Sequence, residues 1–318
     1  LDCLIAGNDA VGRGGALYLE DNCPDLLVAE TRIVDHPDSD GEPVQAGGGI
    51  YWTAGPAPQQ TLPVRGTVLR NHILRNQAED EGAGIFLGRN LTPAVVGNFI
   101  QDNEGTTDQS KGGGIFLADN FPAAMGVVEI CENVLSGNKA QVGAAIVIQR
   151  KQTPRIERNL LHCNTAVQRG EEGPMGEDPP DSYAGGIFLE DAGPDIHHNS
   201  IFGNRGADGI APYSQSGGIH AASLAFGTER FERNILMQNE GWEFFSGVEL
   251  DQDELPVNDN IAYDPADPAV PIYAQGSPFG VLNDYVDPLF LAPECDPSDP
   301  WAAFDVDELS LRAADDTF

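Results

Sequence analysis

Two short patterns of apolar and polar positions recur in fixed order along residues 1–260. The first is an asparagine, a variable residue, an aliphatic, two variable residues and a second asparagine. It runs Asn71 to Asn76, Asn98 to Asn103, Asn133 to Asn138, Asn159 to Asn164, Asn199 to Asn204 and Asn234 to Asn239, with degenerate copies at Cys3 to Asn8 and Thr31 to His36. The second pattern follows each copy of the first: small residues, then apolar, variable, apolar. Examples are Gly48-Gly-Ile-Tyr-Trp52, Ala83-Gly-Ile-Phe-Leu87, Gly113-Gly-Ile-Phe-Leu117 and Gly185-Gly-Ile-Phe-Leu189. Alternation with period two marks strands. The shortest interval between copies, 26 residues from Asn133 to Asn159, is too short for a pair of helices. The pattern predicts an all-β solenoid of about nine coils, with strands of neighbouring coils pairing in parallel about 4.8 Å apart.

Each residue type has a place in such a coil. Ile73, Ile100, Leu135, Leu161, Ile201 and Leu236 are expected to stack inside as an aliphatic column. Asparagine at a bend tolerates left-handed backbone angles, and stacked amides can bond from coil to coil, so the twelve paired asparagines read as structural. The glycine pairs allow corners where a Cβ would clash. The variable residue of the second pattern points away from the inner column. In order these positions include Tyr18, Tyr51, Phe86, Phe116, Val147, Phe188 and His220, a stripe rich in aromatic rings. Two readings stand: a platform on which sugar rings or a partner stack, or a packing ladder buried under the loops.

With these motifs in hand, the chain resembles right-handed parallel β-helix repeat proteins. Its GGxI and Asn-terminated units are similar to those of bacterial surface β-helices such as polymorphic outer-membrane proteins. The segment Tyr285-Val-Asp-Pro-Leu-Phe-Leu291 looks like the closing segment of secreted β-helix proteins. The resemblance implies a single-stranded right-handed helix and an extracellular or bacterial cell-surface setting. It is specific for fold and not for function, since this fold carries adhesins, lyases, hydrolases and epimerases alike.

Residues 1–262 are read as the repeat domain and 263–318 as a capping, wrapping segment of the same domain. Insertions at 37–47, 104–111, 165–183 and 205–216 leave the coil at one corner and are expected to form a wall on the binding side. Residues 251–318 carry 16 acidic residues and one basic residue, Arg312, as expected of an irregular acidic cap over an open end. The chain starts at Leu1 with no visible N-terminal cap, and a partner, a larger assembly or further chain is expected to cover that end.

Composition changes the picture in one respect. The formal net charge of −33 over 318 residues repels nucleic acid and anionic membrane surfaces, and no apolar run is long enough for a spanning helix. Asp38, Asp40 and Glu42 in one wall loop, with Asp178 and Asp181 in another, supply hard oxygen ligands that would suit Ca²⁺. Motifs for catalysis are thin. Asp35-His36 falls where other coils place their corner residue and asparagine, and Gly206-Ala-Asp208 lacks the partners a glycosidase needs. The five cysteines show no metal-binding spacing and read as buried or isolated thiols. The function expected is a secreted or surface-displayed structural or adhesive module, without catalysis, that binds a glycan or protein through the wall loops and the aromatic stripe. The alternatives are a polysaccharide lyase or glycoside hydrolase in the cleft between loops and stripe, or a subunit of an extracellular filament.

Overall fold

The computed structural model describes residues 3–20, 25–37, 44–54, 64–118, 126–150, 152–167, 184–206, 216–224, 230–237, 239, 244–246, 257–258, 260–263, 273–274 and 277–278. These residues are all-β, with no helix among them. Three long sheets run through the molecule, one of nine strands and two of eight, and every neighbouring pair in them is parallel. Within each sheet the strand order follows the chain, one repeat to the next. This stacking is compatible with a parallel β-solenoid. The calcium candidates Asp38, Asp40, Glu42, Asp178 and Asp181, and most of the acidic C-terminal segment, lie outside the described residues.

Register explains why the sequence repeats. Ile73 pairs with Ile100, Ile100 with Leu135, Leu135 with Leu161 and Leu161 with Ile201, so like residues stack on like. These side chains are fully buried, and Ile85, Ile115 and Ile146 of the second sheet and Val95 and Ile130 of the third meet them in one core. In the Ile-Phe-Leu strands the outer two residues enter this core, while the middle ring points the other way into a second, separate cluster. Burying a side chain of this size stabilises by roughly 1.5–3 kcal/mol. A strand that is apolar at three consecutive positions is therefore buried on both faces.

The asparagines form two ladders inside the corners. In one, Asn103 donates from both its backbone N–H (3.1 Å) and Nδ2 (3.0 Å) to Oδ1 of Asn138 in the next repeat. Its Nδ2 also donates to the carbonyl of Ile73 in the repeat before (2.9 Å). The same geometry runs from Asn76 to Asn239 along one corner and from Asn71 to Asn260 along the other. The asparagines are not the left-handed residues, which corrects the expectation above. That conformation belongs to the residue just before each: Arg75 (φ 52°), Asp102 (φ 53°), Glu132 (φ 57°) and Arg158 (φ 54°) among others. A left-handed turn there aims the following side chain inward, and a short amide at that point meets the orphaned backbone groups of the bend.

The glycine corners carry a second constraint. Gly112 has φ 66°, and a Cβ on it would lie 2.6 Å from the Ile115 carbonyl oxygen and 2.9 Å from Cβ of Phe116. The corner therefore folds directly against the stripe. At the equivalent corner the chain uses Ala184 at φ 55°, so the left-handed turn is required even where glycine is absent. Gly112→Ala should lower the unfolding free energy by about 2 kcal/mol through left-handed strain and crowding, while Ala184→Gly should cost less, since relief of that strain offsets the loss of one buried methyl. Urea unfolding midpoints of the two variants check this, and equal losses would contradict it.

Candidate functional site

The aromatic stripe exists as a stack. Tyr18, Tyr51, Phe86 and Phe116 follow one another with ring centroids 5.2, 4.6 and 5.5 Å apart and planes within 14°. Farther along, Phe188 and His220 lie 5.4 Å apart. The stripe is not an open platform: Tyr51, Phe86, Phe188 and His220 are buried, Phe116 is 0% exposed, and only Tyr18, at 47%, shows its ring to solvent. The physical reason is the glycine corner, which brings Ala46, Val142 and Ala184 over the rings and closes the second cluster. Of the two readings the sequence left open, the packing ladder is the one the geometry has. Burial pushes the His220 imidazole down to about 4, so it is neutral near pH 7.

Beside this ladder, next to the wall loop 104–111, lies a polar groove of about 380 Å³. Edges of Tyr51 and Phe86 form part of its floor, with Ala46. Arg13, Gln45, Asp80, Glu81, Gln109 and Lys111 surround it. The Arg13 guanidinium sits 5.3 Å from the centre of the Tyr51 ring, a cation–π placement that fixes a long side chain at the rim. Glu81 bridges in parallel to Lys111 of the next repeat and to Ala46 of the repeat before. Burial holds the Glu81 carboxyl above its usual range, an effect its neighbour Asp80 reinforces and Lys111 and Arg13 oppose. Two basic residues, two acidic residues and two amides thus face one concavity in a chain that is otherwise strongly acidic. A larger concavity of about 500 Å³, near Leu27, Thr67, Ala94 and Val127, has fewer converging polar groups.

Sequence reasoning placed a cleft between loops and stripe but did not find these residues. Arg13, Ala46, Glu81, Lys111 and Val142 all stand one position before a left-handed corner glycine, and that column was the available signal. Its charge pattern was hidden because each member is unremarkable within its own repeat.

Other candidates are absorbed by the fold. His36 takes the place of a ladder asparagine: Asn8 N–H donates to its Nδ1 (3.0 Å), and Nε2 faces the Ile5 carbonyl (3.2 Å). Those partners require the tautomer with its proton on Nε2. Asp35 pairs with Arg75 through two bonds of 2.6 and 2.9 Å, and this holds its carboxyl below the usual range. The Asp35-His36 pair is therefore structural. His197 faces Glu157 (3.4 Å) and Asp195 (3.9 Å), while His198 turns left-handed and sets its ring edge-on, 5.2 Å away. Among the cysteines, Cys3 is an exposed free thiol, and Cys131 is a buried one pushed up to about 12 by desolvation. Cys163 is disulfide-bonded, which corrects its reading as a thiol.

Comparison with protein-family models, with curated proteins and with solved structures finds no match.

Proposed function

We propose that this chain is a right-handed parallel β-helix of about nine coils that works as a rigid, non-catalytic binding module outside the cell or on a bacterial surface. The acidic C-terminal segment caps one end, and the groove beside Tyr51 and Phe86 takes the ligand. The ligand class is a neutral carbohydrate segment. One observation carries this: amides, carboxylates and cations converge on a concavity with aromatic edges, the mixture that bonds vicinal hydroxyls in bidentate fashion. The buried stripe serves as the wall that stiffens the groove. A disulfide at Cys163 supports an oxidising compartment.

The test is titration calorimetry with neutral and uronic-acid oligosaccharides. Arg13→Ala with Gln109→Ala should weaken binding of the neutral ligand at least about tenfold, which is 1.4 kcal/mol, at unchanged melting temperature. Binding that ignores both substitutions would place the ligand elsewhere. A catalytic reading draws on Glu81, whose carboxyl is raised chiefly by burial, as a general acid's would be. Release of reducing ends that is lost on Glu81→Gln would replace the binding module with a hydrolase.

A further inference from the structure

We infer that Cys163 is bonded to Cys295 and that this bond ties the C-terminal segment of the chain back along the outer face of the nine-stranded sheet. Cys163 is disulfide-bonded, whereas Cys3 and Cys131 are free thiols. Of the five cysteines that leaves Cys23 and Cys295. Reach excludes the first. Cys163 directly follows His162, which stands four repeats along the stack from Val34, through Leu74, Gln101 and Ser136. Four strand spacings amount to about 19 Å. Cys23 precedes Leu26 by three residues, and Leu26 opens the strand just before Thr31–Val34. Three residues span at most about 11 Å. The remaining gap of about 8 Å already exceeds the roughly 7 Å between the Cα atoms of a disulfide. It widens further because Cys163 takes the place of Asp35, a strand and a corner away from Leu26.

Cys295 has the slack that Cys23 lacks. The nine-stranded sheet continues past His162 through Phe202 and Met237 to Tyr263, three repeats or about 14 Å. Tyr273–Ala274 packs against Phe244–Ser246, the terminal strand of one eight-stranded sheet, so the chain is still at that end of the stack. From Pro278 to Cys295 there are 17 residues, enough for about 50 Å of extended chain. The segment therefore turns and runs back beside repeats already built. Chemistry at the landing point matches. Thr165, two residues past Cys163, stands between Lys139 and Arg205 of the neighbouring repeats, and both cations are exposed. Cys295 lies between Glu294 and Asp296. The face itself is covered. His162, Phe202 and Met237 point away from the core residues Leu161, Ile201 and Leu236, yet they are 3%, 8% and 3% exposed. Glu157 and Glu232, at the corresponding place of the adjacent sheet in two of these repeats, are only partly buried. The apolar run Leu289-Phe290-Leu291, just ahead of Cys295, supplies the cover. The groove beside Tyr51 plays no part in this contact, so either reading can fail without the other.

Mass spectrometry of the unreduced full chain, alkylated with N-ethylmaleimide in denaturant and then digested, tests the pairing. A linked peptide carrying Cys163 and Cys295 is expected, with the label on Cys3, Cys23 and Cys131. A bond from Cys163 to Cys23, a bond between two chains, or label on Cys163 overturns the inference. Oxidation of Met237 by hydrogen peroxide under native conditions tests the path of the segment. With Cys295→Ser, Met237 should oxidise at least about tenfold faster than in the parent, while amide exchange at Ile100 and Leu135 stays unchanged. Equal Met237 rates overturn the placement on this face. So does faster exchange throughout, which would mean that the bond holds the whole stack and not a docked segment.

Discussion

Asn138→Ala is expected to remove about 4 kcal/mol of stability, a large share of what a domain holds. Asn138 is fully buried in the middle of a ladder. Its Oδ1 accepts from N–H and Nδ2 of Asn103, and its Nδ2 donates to the Ile100 carbonyl and to Oδ1 of Asn164, all between 2.9 and 3.1 Å. Alanine leaves two donors on Asn103 and the carbonyl of Ile100 stranded away from water, at about 1–3 kcal/mol each, partly offset by local relaxation. Asn138→Asp separates shape from chemistry. It keeps the acceptor but turns the donor into a second acceptor facing two oxygens, and it buries a charge. Near pH 7 it should be at least as damaging as alanine. An aspartate variant as stable as the parent in urea would show that the ladder fills space and does not bond.

Acidification from pH 6.5 to 4 is expected to cost the fold roughly 3 kcal/mol for each of two histidines. His162 and His220 are buried, and desolvation lowers both from the ordinary 6.5 to about 4. Above pH 7 both are neutral folded and unfolded, and they contribute nothing to the pH dependence. Between the two values the unfolded chain takes up protons that the folded chain refuses, so stability falls as pH drops and levels off below about 4. Asp35, held below the usual carboxylate range mainly by its bond to Arg75, acts at lower pH. Half of it is exposed, and its share is small. His220→Phe keeps a ring against Phe188 and removes the titration. Its unfolding midpoint should fall less steeply over this interval than that of the parent, and an unchanged slope would contradict the assignment.

The sequence made the stack legible for a physical reason. In-register pairing forces the same chemistry onto the same position of every repeat, so the inner column Ile73 to Leu236 and both asparagine ladders could be read as patterns. What depends on the third dimension could not. The outward direction of Phe116 follows from alternation, but its cover comes from a corner four residues upstream whose path only the left-handed turn at Gly112 determines. Asn103 looked like the bend residue, although Asp102 makes the bend, because an asparagine is equally at home in either role. The groove escaped notice since Arg13, Glu81 and Lys111 come from separate repeats. The calcium candidates sit in insertions, which no repeat constrains.

The asparagine ladders also have a direction. The backbone N–H and one Nδ2 proton of each rung point toward the repeat that follows, never toward the one before. A chain leaving the ribosome therefore cannot complete a rung until the next repeat has emerged. Until that repeat is in place, the last rung carries two donors that no asparagine accepts.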